Sequence, residues 1–283
     1  MLLSMLLFSL MDTSVKWLGG QYPTAQIMFF RCGVALVPVL IILYMRGGFH
    51  ILKTKRPGWH LLRSIIGTAA MGFAFYAISI MKLADAVSLL HSAPIFMILL
   101  SIIFLKEKVG IHRWSAIILG FTGALLIARP GNGILENGAF YMLIAAFCIA
   151  CTTLIIRFLG KFDDPVCITF YFTVAGILIS SIAIYFTGWV TPSLPDLVIL
   201  CSIGLLGGTA QYLMTLGYRY AEIATLAPLK YLSILFSGLF AYWIWQELPD
   251  LQSLFGISLI VCTSLYTLHR ELIVNRNPVL KVG

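Results

Sequence analysis

Ten runs of roughly 20 apolar residues follow one another along this chain, separated only by short charged or Pro/Gly-rich breaks. No other feature constrains the fold as much. A run of that length crosses the hydrocarbon core of a bilayer as a helix, whereas a spanning strand needs about 10 residues of alternating polarity. In lipid every backbone N–H and C=O must bond within the protein, which leaves helices as the spanning structure for such runs. Charge agrees: 11% of the 283 residues are charged and 60% are hydrophobic, against roughly 25% charged in a soluble domain. A water-facing globule and a disordered chain are both excluded.

The runs fall at 1–18, 25–45, 61–81, 86–105, 112–128, 138–159, 165–187, 197–217, 223–245 and 251–269, with no soluble domain inserted. Of the 19 Lys and Arg, 14 lie in one set of alternate loops and their flanking turns, and three (Lys16, Lys82, Arg129) in the opposite set. By the positive-inside rule the richer side is cytoplasmic, so both termini are expected there. The same rule accounts for the net charge of +8 without a nucleic-acid partner. The N-terminus carries Asp12 and Lys16 and lacks a basic n-region, so a cleaved signal peptide is not expected. Because the first run starts almost at Met1, a few natural residues are expected to precede it. All six cysteines sit in apolar runs. Cys148 and Cys151 form a C-x-x-C without a second pair or a nearby histidine, so they are read as packing residues, with no metal and no cofactor.

The chain repeats itself. Sliding it by 137 residues lays Gly67 on Gly204, Lys82 on Arg219, Asp85 on Glu222 and Ser88 on Thr225, and an offset of 140 lays Glu107 on Glu247. Five spans per half force the second copy to enter the membrane upside down. The expected fold is therefore an all-α membrane protein of ten transmembrane helices built as two inverted five-helix repeats, 1–131 and 138–270, with a cytoplasmic tail at 271–283. Inverted repeats are a signature of secondary transporters, whose substrate sites lie near the midplane between the halves.

Particular segments carry a resemblance. R-Y-A-E-I-A-T-L-A-P-L-K-Y-L-S-I-L-F-S-G-L-F-A-Y-W-I-W-Q-E-L-P-D (219–250) resembles the closing helices of EamA-type transporters of the drug/metabolite transporter superfamily. So do A-D-A-V-S-L-L-H-S-A-P-I-F (84–96), F-L-K-E-K (104–108) and G-F-T-G-A-L-L-I-A-R-P-G (120–131). The first helix pair, with S-L-M-D-T-S-V-K-W-L (9–18) and F-F-R (29–31), together with R-P-G-W-H-L-L-R (56–63), resembles the subgroup that contains S-adenosylmethionine uptake carriers. The resemblance implies a central cavity walled mainly by spans 1, 3, 4, 6, 8 and 9. It also implies a secondary active transporter that moves a small zwitterionic or cationic metabolite, such as S-adenosylmethionine or an amino acid, across the inner membrane by alternating access. Export of amino acids or drugs is the alternative within the family. A coupling proton or counter-substrate and the lipid bilayer are the other expected partners.

Each ionisable group inside a span costs roughly 2.5–3.5 kcal/mol even on lenient scales and needs an account. Asp12 and Arg31 lie at similar depth in spans 1 and 2. One reading pairs them in a salt bridge; the other turns Asp12 toward the cavity, where it couples to a proton or a cationic substrate. Lys230, with Tyr231, follows Pro228 in span 9, and the repeat sets it opposite Ala93, next to His91 and Pro94 in span 4. A proline early in a span frees a backbone carbonyl and bends the helix, which suits a cavity wall or a gate. Lys230 either holds a substrate carboxylate or phosphate or snorkels to the interface. His91 does the same or rests as a satisfied neutral imidazole. Gln211 and Tyr212, with Phe75 and Tyr76, are candidates for an aromatic and amide wall or for core packing. Glu107 and Glu247, at the ends of spans 4 and 9, are expected to bond helix termini or form gate ion pairs. Trp17, Trp189, Trp243 and Trp245 are interfacial anchors.

Two other classes compete. An intramembrane enzyme needs a nucleophile with its base, or metal ligands, and the chain has no H-E-x-x-H, no G-x-S-x-G and no paired intramembrane aspartates. A channel needs a filter or a charged ring built by an oligomer, which a repeat within one chain does not suggest.

Overall fold

Proline and aspartate fix where two of the long helices begin. Pro57 and Pro165 occupy first-turn positions, where a missing N–H costs no intrahelical bond. Asp164 caps the helix that follows it by accepting from Val166 N at 2.9 Å. The computed structural model describes residues 1–93, 95–96, 99–100, 111–128, 138–220, 230 and 232–276. Its helices in chain order are α1 (Leu2–Leu18), α2 (Thr24–Met45), α3 (Pro57–Ile80), α4 (Leu83–Leu90), α5 (Ile111–Ala128), α6 (Ala139–Leu159), α7 (Pro165–Thr187), α8 (Leu194–Tyr220), α9 (Leu232–Trp245) and α10 (Leu251–Arg276). The ten helices correspond one to one with the ten apolar runs.

Five of them, α2, α3, α6, α7 and the Leu194–Gly217 part of α8, are long and apolar enough to cross a membrane by themselves. Shorter apolar stretches lie at Ile118–Ile127, Leu232–Trp245 and Leu251–Thr263. Burial is inverted relative to a soluble protein. Leu178, Ile182, Tyr185 and Phe186 on α7 are 61–86% exposed, while Gln26, Arg31, His60 and Arg63 are at most 3% exposed. Apolar outside and polar inside is the arrangement that lipid as solvent selects.

The repeat is visible in which helix touches which. α1 packs on α8 and α9, and its counterpart α6 packs on α3 and α4. α2 packs on α8 as α7 packs on α3, while α2–α7, α4–α9 and α5–α10 pair with their own counterparts. The first three helices of each half are therefore held largely by the other half. The α5–α10 crossing brings backbones together: a Cβ on Gly123 would sit 2.8 Å from the Gly256 carbonyl oxygen, and one on Gly256 2.7 Å from that of Gly123.

Three expected boundaries move. The span expected at 86–105 is interrupted: α4 stops at Leu90, and a turn follows at His91–Ser92. α3 starts at Pro57, four residues before the expected 61, and α10 runs on to Arg276.

Polar contacts join the halves at both ends of the bundle. At one end Lys16, in the last turn of α1, pairs with Glu247 of the α9–α10 connection. Its Nζ lies 4.9 Å from the centre of the Trp245 ring, which in turn is 6.2 Å from Trp17. Glu247 thus serves as an interhelical ion pair. At the other, basic end, Arg46 meets Asp164 at 3.3 Å, and Asp163 accepts from Thr54 Oγ1 at 2.9 Å and lies 2.8 Å from His60 Nε2.

Candidate substrate site

The break after α4 puts a polar side chain where two helices meet. His91 Nδ1 lies 2.7 Å from the Val87 carbonyl oxygen of its own helix, and Nε2 lies 3.0 Å from the Lys230 carbonyl oxygen, just before α9. Ser233 Oγ is 3.1 Å from the same Nε2 and donates to Lys230 O at 2.8 Å. Ser9 Oγ of α1 reaches Ser233 O at 3.3 Å, and Thr13 Oγ1 donates to Ser9 O at 2.7 Å. A ring that is neutral with its proton on Nδ1 donates to Val87, and Ser233 then turns its one hydroxyl proton from Lys230 O to Nε2; an imidazolium donates to both carbonyls. Either proton state finds partners. His91 and Lys230, which the repeat sets near one another's matching positions, are thus in contact through the Lys230 backbone. Tyr231, Pro94, Pro228 and Glu107 lie outside the described residues.

A second polar cluster lies where α2, α3, α7 and α8 converge. Arg31 and Arg63 sit about two turns inside α2 and α3 and are each 3% exposed. Both guanidinium groups approach one ring, Phe172 of α7, at 3.7 Å for Arg63 and 5.2 Å for Arg31. Arg31 makes two long bonds, to the Gly207 carbonyl at 3.5 Å and to Cys32 Sγ at 4.0 Å. It lies flat across α8 because residue 207 is glycine, where a Cβ would come 3.1 Å from its Nε. Arg31 Nε, Arg63 Nε and Nη1, and Thr68 Oγ1 are buried with no hydrogen-bond partner. Thr68 Oγ1 and Cys32 Sγ both face Gly176 of α7.

Asp12 is half-buried on α1, one residue from Met11, whose sulfur lies against Gly207. The salt bridge expected between Asp12 and Arg31 is not formed. Among the described residues the ion pairs are Lys16–Glu247, Arg46–Asp164 and His60–Asp163. Arg31 is turned instead onto Phe172 and the Gly207 carbonyl, and Asp12 feels its positive field without contact.

The four residues considered for an aromatic and amide wall do not share one surface. Tyr76 is 42% exposed and meets Tyr141 of α6 edge-on at 4.9 Å. Phe75 belongs to the main core, whereas Tyr212 packs with Val39, Leu43 and Val166. Gln211 is buried, with its amide 3.5 Å from Thr215 Oγ1.

Arg63 is the residue that sequence reasoning missed, because it was counted with the basic loop before span 3. Pro57 was the available signal: as a first-turn proline it starts the helix early and carries Arg63 about 9 Å inward. Among the described residues no group of His, Cys, Asp or Glu forms a metal-binding cluster.

Comparison with known proteins gives a consistent picture. The EamA-like transporter family matches residues 1–129 and again residues 136–268. A S-adenosylmethionine uptake transporter from Rickettsia bellii is 28% identical over 95% of this chain and 92% of its own length. A riboflavin transporter from Rhizobium johnstonii is 28% identical over 98% and 92%. A pseudopaline exporter from Pseudomonas aeruginosa is 30% identical over 90% and 89%. A solved crystal structure shares the fold, with a TM-score of 0.67 at 16% identity over 97% of this chain and 98% of the other.

Proposed function

This chain belongs to the EamA-like transporter family, and from that premise we propose that it carries a small zwitterionic or cationic metabolite across the cell's inner membrane by alternating access. Members of the family are transporters, so the chain is a carrier and not an intramembrane enzyme. S-adenosylmethionine is the first candidate cargo and an amino acid the second. The observation that carries the reading is the packing: each half holds the first helices of the other, with ionisable side chains buried between them. Substrate sites of inverted-repeat carriers lie at such an interface.

In this reading Asp12, His91 and Lys230, with Tyr231 and Gln211, face the route of the cargo. A proton or a counter-substrate drives the cycle, and the two satisfied proton states of His91 support the proton. The end bearing Lys53, Lys55 and Arg56 faces the cytoplasm, together with both termini. Export is the second reading, favoured by the similarity to a pseudopaline exporter.

Proteoliposomes preloaded with unlabelled S-adenosylmethionine test the proposal. Saturable counterflow of labelled S-adenosylmethionine is expected, and uptake linear in concentration would sink the carrier mechanism. Counterflow with amino acids alone would replace the cargo. Vesicles of defined orientation, with a proton gradient of either sign, separate uptake from export.

A further inference from the structure

We infer that Arg31 and Arg63, gathered around Phe172, form the binding site for a carboxylate group of the transported molecule. The inference rests on the transport reading and names the chemical group that the cargo must present.

Charge is the first argument. Two guanidinium groups approach one ring from adjacent helices, and each is 3% exposed. A desolvated cation–π contact contributes about 2 kcal/mol, comparable to the cost of holding one arginine at membrane depth and well short of two. Mutual repulsion between the two cations adds to the deficit. Asp12 is the acidic side chain within reach of Arg31's field, and it makes no ion pair with it.

Hydrogen bonding is the second argument, independent of charge. A buried arginine that serves packing alone finds carbonyl or carboxylate acceptors, because an unmet buried donor costs about 1–3 kcal/mol. Among the described residues Arg63 Nε and Nη1 are buried without an acceptor, and its guanidinium lies against the face of Phe172. Arg31 Nε and the Thr68 hydroxyl are orphaned in the same region. A planar fork of unmet N–H groups is the geometry that takes a carboxylate in a bidentate bond. Position is the third. The cluster lies where α2 and α3 of one half meet α7 and α8 of the other, so an anion bound there is held by both moving parts.

The test uses the purified full-length protein and three probe pairs that differ only in the carboxylate: S-adenosylmethionine against its decarboxylated form, L-methionine against L-methioninamide, and acetate against acetamide, with chloride as the ionic control. Wild type is expected to show a saturable rise in melting midpoint with at least one carboxylate, at about 100-fold lower concentration than with its partner. In Arg31→Met and Arg63→Met that preference should fall below about threefold, as loss of a buried charge pair demands. The empty Arg63→Met protein should melt at or above the wild-type midpoint, because an unpaired buried charge has been removed. Arg63→Lys, which keeps the charge but not the fork, should retain an intermediate preference. Three results would overturn the inference: no carboxylate preference in wild type, an equal shift with chloride, or a preference that survives in either Met variant. Carboxylate preference without saturable transport would sink the transport reading and support the arginine site. Saturable transport without the preference would do the reverse.

Discussion

His91 Nε2 lies 3.0 Å from the carbonyl oxygen of Lys230, so the turn that follows α4 in one half touches a residue just ahead of Leu232–Trp245 (α9) in the other. Here the junction is a polar contact between a titratable ring and a backbone carbonyl, with Ser233 Oγ within hydrogen-bond distance of both. A contact of this kind breaks and reforms at low cost when the halves move, because each group has a second partner within reach.

Replacing His91 tests what the junction contributes. His91→Phe removes the ring N–H that serves the Val87 or Lys230 carbonyl and the ring nitrogen within reach of Ser233, which should cost about 1–3 kcal/mol and lower the melting midpoint of the purified protein by several degrees. Counterflow should fall at least about tenfold. An unchanged midpoint would show that these hydrogen bonds add nothing to the fold.

Lys230 is expected to act through its side chain as well as its carbonyl. Lys230→Ala should abolish saturable uptake while the protein still inserts and purifies as a monodisperse species. Lys230→Arg, which preserves the charge, should retain part of the activity. Wild-type kinetics in Lys230→Ala would remove it from the cargo route.

Lys16 and Glu247 close one end of the bundle by an ion pair that is partly buried beside Trp245. Lys16→Met and Glu247→Gln should each change the uptake rate, and the charge swap Lys16→Glu with Glu247→Lys should recover much of it. A double-mutant cycle should give a coupling of roughly 1 kcal/mol, at the upper end for pairs near the surface. Additive effects would mean that the two residues act independently.

Much of this architecture was legible in the sequence because lipid imposes simple rules. Apolar run length marked ten helices, and the 137-residue offset, which lays Lys230 on Ala93, put it within two residues of His91's place in the other half. What could not be seen was side-chain direction. Asp12 and Arg31 share a depth, so a salt bridge was the natural expectation, yet Arg31 swings across Gly207 to Phe172. Phe75 and Tyr212 match in the repeat but face different neighbours, the main core in one case and the Val39–Leu43 cluster in the other. Arg63 was hidden by a boundary: a start four residues earlier turns a loop charge into a buried one. Depth follows from counting residues along a span, whereas direction depends on which partner fills the space beside it.

The α5–α10 crossing should be intolerant of size. A Cβ at Gly256 would come 2.7 Å from the Gly123 carbonyl oxygen and 2.6 Å from Ile127 Cγ1. Backbone cannot yield as a side chain does, so Gly256→Val should cost about 1–3 kcal/mol or more and reduce the yield of folded protein. Gly238→Ala, at a position with nothing within 4 Å, is the control and should be neutral. Equal yields for the two would mean that the crossing relaxes freely.

Alkaline stability should report on the connection between α1 and α2. The Tyr22 hydroxyl donates to Asp196 Oδ2 at 2.8 Å, and Ser193 Oγ donates to the same oxygen at 2.6 Å. That hydrogen bond to Asp196 holds the Tyr22 phenol above its ordinary value of 10.0, because a phenolate there would lose the bond and face the carboxylate. The folded protein therefore keeps a proton that the unfolded chain releases, and the stabilisation is complete below the unfolded value and lost as pH rises through the folded one. Wild type should melt above Tyr22→Phe at pH 8, with the gap closing as pH passes about 10. Lysines and cysteines titrate in the same range in both proteins, so the difference between the two curves is the quantity to follow. Asp196→Asn should close the same gap from the other side, because the amide removes the charge that holds the proton on Tyr22. Parallel curves from pH 8 to 11 would show that the Tyr22–Asp196 bond does not anchor this connection.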